Sequence, residues 1–273
     1  QAAINQAVAD GYGQSSPVTI LVRNGTYNES VALAAGVNLV SAMPGKQFTT
    51  QINGNVTFSP SAAGQVALIG FEIAASSGDA LSVSSVTPAD SVQLYLQDCG
   101  VTGSGDDALQ VNCFLSGSTP GVIIDNVIFR TTGAATGFPV NMVSGTLQGR
   151  GGTFNPPGTG GTSLNLGTAG RAWLRDSDLF GRVLVGNTVA GPTSTTVFEA
   201  RHSQFRTGNN PAVVDNTSGR ILLVDDLIGD PNGSFAGQAF TSNGSGPVWY
   251  GGIKFLPNNT LSTSSGSVSM WVK

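Results

Sequence analysis

The sequence predicts an all-β protein that folds as a single-stranded parallel β-helix with a short N-terminal capping helix. Three observations support this class. The composition disfavours α-helices, because 38 residues are Gly, only 10% are charged, and Ser, Thr, Asn and Val are frequent. One sequence template recurs about every 26 residues. Within the template, apolar positions fall two and then three residues apart, the pattern of two short strands that meet at a corner.

Residues 1–11 predict the capping helix. Apolar residues recur there at helical spacing, at Ala3, Ile4, Ala7 and Val8. A helix at this position would shield the open strand edge of the first coil, an edge that every solenoid must protect. Residues 17–58 are predicted to form the first coils, with strand segments "VTILV", "VNLVS" and "VTF" that follow one another more closely than those further along.

Residues 66–256 predict regular coils. Eight segments share the template, and each ends at an apolar residue, the anchor, that we expect to point into the core. The anchors are Ile73, Val101, Phe129, Phe154, Leu179, Phe205, Ile228 and Phe255. Each segment has a two-residue corner, and its second residue is of a type that turns favour in most coils. These second residues are Gly70, Asp98, Asn126, Gly151, Asp176, His202, Asp225 and Gly252.

The domain organisation follows from the continuity of the repeat. No Gly/Ser linker or charge run separates two parts of the sequence, so residues 1–273 are predicted to form one domain. Residues 257–273 lie beyond the last template and are predicted to form a C-terminal tail or cap. Because the chain begins with Gln1 rather than Met, we expect that residues upstream of Gln1 were cleaved or lie outside this sequence.

Charge and hydropathy exclude two classes of partner. The chain has 12 Lys and Arg against 16 Asp and Glu, a net charge of −4 that gives no field to attract nucleic acid or an anionic membrane. No apolar run approaches the ~20 residues of a membrane span. The N-terminus also lacks the basic-then-apolar order of a signal peptide. We therefore expect no nucleic-acid partner and no membrane insertion.

The two cysteines argue against a structural metal. Cys99 and Cys113 cannot supply the four closely spaced ligands of a structural zinc site, so we expect no metal and no cofactor. They lie 14 residues apart and could pair, but we expect buried free thiols. Cys99 falls in the column of Phe71 and Val127, which is apolar. Asp226 falls in the same column, and the sequence offers no account of a carboxylate there.

Two stretches resemble known β-helical proteins. The opening, "AINQAVADGYG…VTILVRNGTYNESVALAAGVNLVSA", spans residues 2–42 and is similar to the start of pectin-lyase-like right-handed β-helices. The rest is similar to β-helical virion proteins of tailed bacteriophages. The closing stretch "NGSGPVWYGGIKFLPNNTLST" resembles the last coil of those proteins. This resemblance implies a homotrimer bound to capsid or tail proteins of the virion, as a capsid decoration, a cement spike or a tail spike. It implies a place on the extracellular particle, with secretion as the alternative.

Enzymes of the same fold family supply the candidate catalytic residues. "GDDAL" contains Asp106 and Asp107 and resembles the paired aspartates of polygalacturonases, but the "GHG" and "RIK" elements of those enzymes are missing. "SDLFGR" contains Asp178 and partly matches the "DFIFG" element of pectin methylesterases. Asp176 and Asp178 lie two residues apart, which on a strand could separate their carboxyls by ~7 Å, within the range of inverting glycosidases.

The incomplete motifs favour a protein without catalytic activity. "SGDAL" repeats "GDDAL" one coil earlier, so we interpret Asp106 and Asp107 as turn residues. No clear signature of a calcium-dependent pectate lyase is found. We therefore expect a non-enzymatic virion component. The alternatives are a polysaccharide-active enzyme, such as a phage depolymerase or a pectin-type hydrolase or esterase, and a glycan-binding module without catalysis.

A column of arginines is the candidate interaction surface. Stacking the coils by the template aligns Arg150, Arg175 and Arg201, with His202 in the adjoining corner column. Cations ~4.8 Å apart repel one another unless carboxylates or an anionic partner compensate. One interpretation is a solvated ladder that is neutralised by neighbouring carboxylates, those of Asp125, Asp176 and Asp225. The other is a contact surface for a subunit or for an acidic glycan such as a host-surface polysaccharide.

Overall fold

The chain is a parallel β-helix that begins with one short α-helix, as seen in a computed structural model. The structure describes residues 1–44, 49–85, 92–113, 121–132, 137–158, 161–186, 196–206, 211–215, 220–228, 238–242, 248–251 and 254–255. In this part of the chain, no helix has the length and hydropathy needed to cross a bilayer. The predicted all-β class is confirmed.

The elements are short and follow one another closely. The first are α1 (Ala2–Ala9), β1 (Val18–Val22), β2 (Gly25–Tyr27), β3 (Val31–Ala32), β4 (Val37–Ser41), β5 (Thr50–Asn53), β6 (Val56–Phe58), β7 (Gly64–Ile69), β8 (Glu72–Ala75) and β9 (Leu81–Ser84). The middle strands are β10 (Val92–Gly103), β11 (Leu109–Asn112), β12 (Val122–Thr131), β13 (Val140–Arg150), β14 (Thr153–Asn155), β15 (Thr162–Arg175), β16 (Asp178–Leu179) and β17 (Arg182–Val185). The last are β18 (Val197–Arg201), β19 (Gln204–Phe205), β20 (Pro211–Asp215), β21 (Arg220–Val224), β22 (Leu227–Ile228), β23 (Gln238–Ser242), β24 (Val248–Gly251) and β25 (Lys254–Phe255).

Three parallel sheets form the sides of the solenoid. Sheet A stacks β1, β4, β7, β10, β12, β13, β15, β18, β21 and β24. Sheet B stacks β2, β5, β8, β10, β12, β14, β16, β19, β22 and β25. Sheet C stacks β3, β6, β9, β11, β13, β15, β17, β20 and β23. Four long strands, β10, β12, β13 and β15, bend at a corner and belong to two sheets each.

The anchors form one continuous column in sheet B. Each pairs in register with the next, from Ile73 and Val101 through to Ile228 and Phe255. The first six anchor side chains are fully buried, and the rings of Phe129 and Phe154 stack with centroids 5.5 Å apart. The side chains of Ile228 and Phe255 lie outside the described part of the structure. The predicted repeat is thus confirmed in its register.

The corner between sheets A and B has a left-handed backbone in successive coils. The second residue of each described corner pair has a positive φ: Gly70 (80°), Asp98 (50°), Asn126 (56°), Gly151 (64°), Asp176 (48°), His202 (52°) and Asp225 (53°). Gly adopts this region freely, and Asp, Asn and His tolerate it better than other residues. The corners predicted from composition are confirmed, except for Gly252, which lies outside the described residues.

Helix α1 packs on the first coil as a cap. Ile4 and Ala7 are buried against it, whereas Ala3 and Val8 face solvent, so only part of the predicted apolar face is used. The amino group of Gln1 pairs with Glu29 at 2.8 Å. These contacts fix the helix across the open end of the solenoid and shield the strand edge beneath it.

Both cysteines are free and buried, as predicted. The thiol of Cys99 donates to the carbonyl oxygen of Gln97 at 3.2 Å. Burial raises the pKa of Cys99 and of Cys113 to about 11. Thiols with such a pKa remain protonated at neutral pH and are unreactive in the folded protein.

The buried column of Cys99 becomes polar towards the C-terminal coils. Ser177 Oγ accepts from Gly152 N at 3.2 Å, Ser203 Oγ accepts from Ser177 N at 3.3 Å, and Asp226 Oδ1 accepts from Ser203 N at 2.7 Å. Each side chain therefore satisfies a backbone N–H of the coil before it, next to the left-handed corner. This ladder accounts for Asp226, which composition alone left unexplained.

Candidate functional site

An open groove of about 590 Å³ lies on the outer face of sheet A. Side chains alternate in direction along each strand, so every second residue of sheet A points outward. Two outward columns line the groove. The aromatic column holds Tyr95, Ile123, Gln148, Trp173 and Glu199 in successive coils, and the arginine column holds Asp125, Arg150, Arg175 and Arg201. Arg201 adjoins the groove, and the others line it.

Carboxylates neutralise the two outer arginines of the column. Arg150 donates from Nε and Nη2 to the two carboxylate oxygens of Asp125, at 3.1 and 3.2 Å, in the forked geometry typical of such pairs. Arg201 Nε donates to Glu199 Oε1 at 2.5 Å. Glu199 was missed in the sequence. The available signal was its position two residues before Arg201, which places both side chains on the outer face of β18.

Arg175 stands between these two pairs. Its side chain is exposed, and it has no carboxylate partner among the residues that the structure describes. The two other aspartates proposed from the sequence as neutralising groups lie at the corner and flank His202 instead. Asp176 Oδ1 is 3.9 Å from His202 Nδ1, and Asp225 Oδ2 is 3.6 Å from His202 Nε2. Among the described residues, Arg175 is therefore the arginine of the column that forms no ion pair with a carboxylate.

Two half-buried aromatic residues stand in the neighbouring column. Tyr95 and Trp173 lie three coils apart, a distance of ~14 Å at ~4.8 Å per coil. The hydroxyl of Tyr95 donates to Gln97 Oε1 at 3.2 Å. Partial burial, followed by the nearby carboxylate of Asp125, raises the pKa of the Tyr95 phenol, so the hydroxyl stays protonated and able to donate. Exposed Gln148 lies between the two aromatic residues.

The candidate catalytic pair Asp106 and Asp107 lies outside the groove, in the turn that leads into β11. Stacking of "SGDAL" on "GDDAL" brings Asp79 to the pair, with carboxylate oxygens of all three within 4.8 Å of one another. Asp107 is 2% exposed, and its two oxygens accept from Phe138 N and Asn141 Nδ2, both at 2.6 Å. Asp107 thus joins its turn to the next coil.

Two carboxyl groups of the acidic cluster, those of Asp79 and Asp107, have a raised pKa. Burial, followed by the carboxylates of Asp107 and Asp106, raises the pKa of Asp79 to about 6. Burial also raises the pKa of Asp107. Three carboxylates at this spacing are the oxygen ligands that Ca²⁺ and Mg²⁺ prefer. The repetition of the motif predicts one turn in two successive coils, but it does not predict that stacking the turns gathers three carboxylates.

Asp176 and Asp178 lie on two sides of the A–B corner. Asp176 is the exposed left-handed residue, and Asp178 is half-buried on the outer face of sheet B, in register with Thr153 and Gln204. The residue between them, Ser177, points into the core. The partial match to the pectin methylesterase element therefore coincides with a corner of the scaffold.

No protein-family model and no curated protein sequence matches the chain. Solved structures are similar over almost its whole length. The tailspike protein gp49 of Acinetobacter baumannii bacteriophage Fri1, a capsular polysaccharide depolymerase, is 10% identical over 96% of this chain, with a TM-score of 0.42. Pectin methylesterase from Yersinia enterocolitica is 12% identical over 96% of this chain and 94% of its own length, with a TM-score of 0.43.

A second viral protein is also similar. Geobacillus virus E2 ORF18 is 13% identical over 97% of this chain, with a TM-score of 0.41. The chain spans 59% of the length of the Acinetobacter phage tailspike and 58% of ORF18. At these identities the similarity concerns the fold alone.

Proposed function

We propose that this chain is a non-enzymatic, polysaccharide-binding component of a phage virion, and that it binds its ligand in the groove of sheet A. One observation supports this proposal above the others: the groove combines Tyr95 and Trp173 with hydrogen-bonding and charged side chains along a continuous outer face. Aromatic rings offer large rigid apolar surfaces, and the polar groups around them fix the orientation of a hydroxyl-rich ligand.

The groove suits an extended ligand better than a compact one. Its two aromatic residues are ~14 Å apart along the stack of coils, a span that a short run of linked sugar rings covers. Gln148 and the Tyr95 hydroxyl lie on the same face and can exchange hydrogen bonds with sugar hydroxyls.

Placement on a virion is supported by the sequence resemblance to β-helical proteins of tailed phages. The same resemblance supports a homotrimer that is attached to capsid or tail proteins. In such an assembly, a groove that runs along the coils would present a continuous track for a host-surface polysaccharide. The alternative is that the protein is secreted as a free binding protein.

Hydrolysis by the acidic cluster is the second candidate, and the raised pKa of Asp79 favours it. However, glycosidases hold their two carboxyl groups ~5–5.5 Å apart when they retain configuration and ~6.5–9.5 Å apart when they invert it. The three carboxylates here approach one another within 4.8 Å, and both oxygens of Asp107 already accept hydrogen bonds from the scaffold. The cluster is therefore better suited to joining turns than to catalysis.

The proposal is tested by measuring polysaccharide binding before and after removal of a groove ring. We expect the protein to bind at least one of alginate, dextran sulfate and dextran in affinity electrophoresis. Trp173→Ala should weaken this binding about tenfold or more, since a central aromatic contact is typically worth ~2 kcal/mol or more. Tyr12→Ala, at an exposed ring outside the groove, is the matched control and should bind as the parent does. Equal binding by the Trp173 variant, or no binding by the parent, would contradict the proposal.

A further inference from the structure

We infer that the ligand of the groove is an acidic polysaccharide and that Arg175 binds its oxyanion. The inference rests on the proposed function, because it names the ligand class of the same groove. It depends on a feature that polysaccharide binding in general does not require: one arginine in the middle of the groove has been left without a carboxylate while both of its neighbours have one.

The pairing around Arg175 produces this charge. The three arginines of the column form two ion pairs among the described residues, with Asp125 and Glu199, and neither of these pairs includes Arg175. Asp125 holds Arg150 through two hydrogen bonds, and Glu199, whose side chain is only 20% exposed, holds Arg201 in a partly buried contact. Arg175 is exposed and lies one coil from each pair. An anionic ligand can therefore pair with Arg175 without displacing a carboxylate that is already ion-paired with it.

The guanidinium group suits the oxyanions of acidic sugars. Its planar fork donates two parallel hydrogen bonds to a carboxylate, and it also binds sulfate or phosphate oxygens. Arg175 follows Trp173 by two residues on β15, so both side chains lie on the outer face of the same strand. A sugar ring that stacks on Trp173 would thus bring a ring carboxylate or sulfate within the neighbourhood of Arg175.

A second copy of the chain is the competing occupant of this surface. The two described carboxylates on the strands of this outer face, Asp125 and Glu199, are already paired with arginines of the same chain, so they are not available to a second Arg175 across a symmetric contact. Charge complementarity therefore favours an acidic ligand over self-association through this face.

The test compares three probes and three variants. Affinities for alginate, dextran sulfate and dextran would be measured by affinity electrophoresis at low and moderate salt. Arg175→Gln should weaken binding to the acidic probes about tenfold or more and reduce its salt dependence, while binding to dextran stays as in the parent. Arg175→Lys should restore part of the lost affinity, because it keeps the charge without the fork. Arg23→Gln, an exposed arginine outside the groove, is the control and should behave as the parent.

The outcomes separate the inference from the proposed function. If Trp173→Ala weakens binding but Arg175→Gln leaves affinity for both acidic probes unchanged, the groove binds polysaccharide and the role of Arg175 is wrong. If the parent binds none of the probes, the proposed function fails and the inference fails with it. A preference for alginate over dextran sulfate would identify carboxylate as the oxyanion, and the reverse would identify sulfate. A loss of oligomer mass in Arg175→Gln, measured by light scattering, would assign the surface to a second copy and overturn the inference.

Discussion

Asp226 places a carboxylate in the core, and its ionisation couples folding to pH. Burial raises its pKa from the ordinary 3.8 to about 7, although hydrogen bonds from Ser203 N and Val224 N favour the charged form. Below about pH 4 the group is protonated in the folded and the unfolded chain. Between about pH 4 and 7 the unfolded chain loses the proton that the folded chain retains, so stability falls as pH rises.

Replacement of Asp226 by the residue found one and two coils earlier should remove this dependence. Asp226→Ser keeps a side-chain oxygen in the column of Ser177 and Ser203 without a titrating group. We expect the parent to lose ~2–4 kcal/mol more stability than the variant between pH 4 and pH 8. Urea unfolding at the two pH values would measure the difference. Parallel pH profiles for parent and variant would show that Asp226 ionises normally in the core.

The contrast between anchor and corner predicts two unequal losses of stability. Phe129→Ala removes a fully buried ring that stacks on Phe154, and it should cost ~3–5 kcal/mol. Asn126→Ala should cost only about 1–2 kcal/mol, from a left-handed backbone that Ala disfavours and an exposed hydrogen bond to Asp98. Asn126→Gly should recover part of that loss. Denaturant melts would rank the three variants, and equal losses for Phe129 and Asn126 would contradict the assignment of inner and outer columns.

Close backbone approach between coils constrains the strands themselves. In β13, a Cβ at Gly149 would collide with the carbonyl oxygen of Ile124 in the coil before it, a backbone atom that cannot move aside. The same residue lies in the groove floor, between the columns of Gln148 and Arg150. The pairing of β12 with β13 therefore depends on a residue without a side chain.

Gly149→Ala should accordingly disrupt this pairing. We expect it to destabilise the fold by ~1–3 kcal/mol or more, because a methyl group must be forced into a closely packed contact. Gly158→Ala is the matched control, since nothing lies within 4 Å of a Cβ there and it should change stability little. Thermal melts of both variants would settle the comparison, and similar melting temperatures would contradict this account of the β12–β13 contact.

At the level of strands and corners, most of the architecture could be predicted from the sequence. Anchors and corners recur because each column of a solenoid offers the same environment in every coil, so similar residues fill it. Asp226 and the Asp79 cluster could not be predicted in the same way, and the only signal for Glu199 was its position two residues before Arg201. Their roles depend on side-chain contacts between neighbouring columns or turns, and the repeat fixes only which residues stack.

The whole solenoid is a series of coils, each in contact with its neighbours. Two groups of charged residues lie on different sides of these coils. The acidic cluster lies in the turns beside sheet C, and the arginine column lies on sheet A. The two described carboxylates that line the groove, Asp125 and Glu199, are each paired with an arginine. A ligand that binds along sheet A would thus lie away from Asp79, whose carboxyl pKa is raised to about 6 in the turn beside sheet C.

This separation predicts binding without turnover. We expect the purified protein to release neither reducing ends from polygalacturonate nor methanol from methylated pectin. Asp106→Ala and Asp178→Ala should be indistinguishable from the parent in these assays, because both residues belong to the scaffold. Turnover by the parent that either substitution abolishes would instead establish an enzyme.

The two buried thiols can report how often the solenoid opens. Cys99 opens the sheet B part of β10, and Cys113 follows β11 in sheet C, so they sit on different sides of the same stretch of coils. Because each thiol is enclosed and protonated at neutral pH, an alkylating reagent can attach only while the surrounding coils are parted. The rates of labelling at the two positions would therefore time the spontaneous opening of the solenoid. Matching rates would mean that whole coils separate as units, and differing rates would mean that the sides of a coil come apart independently.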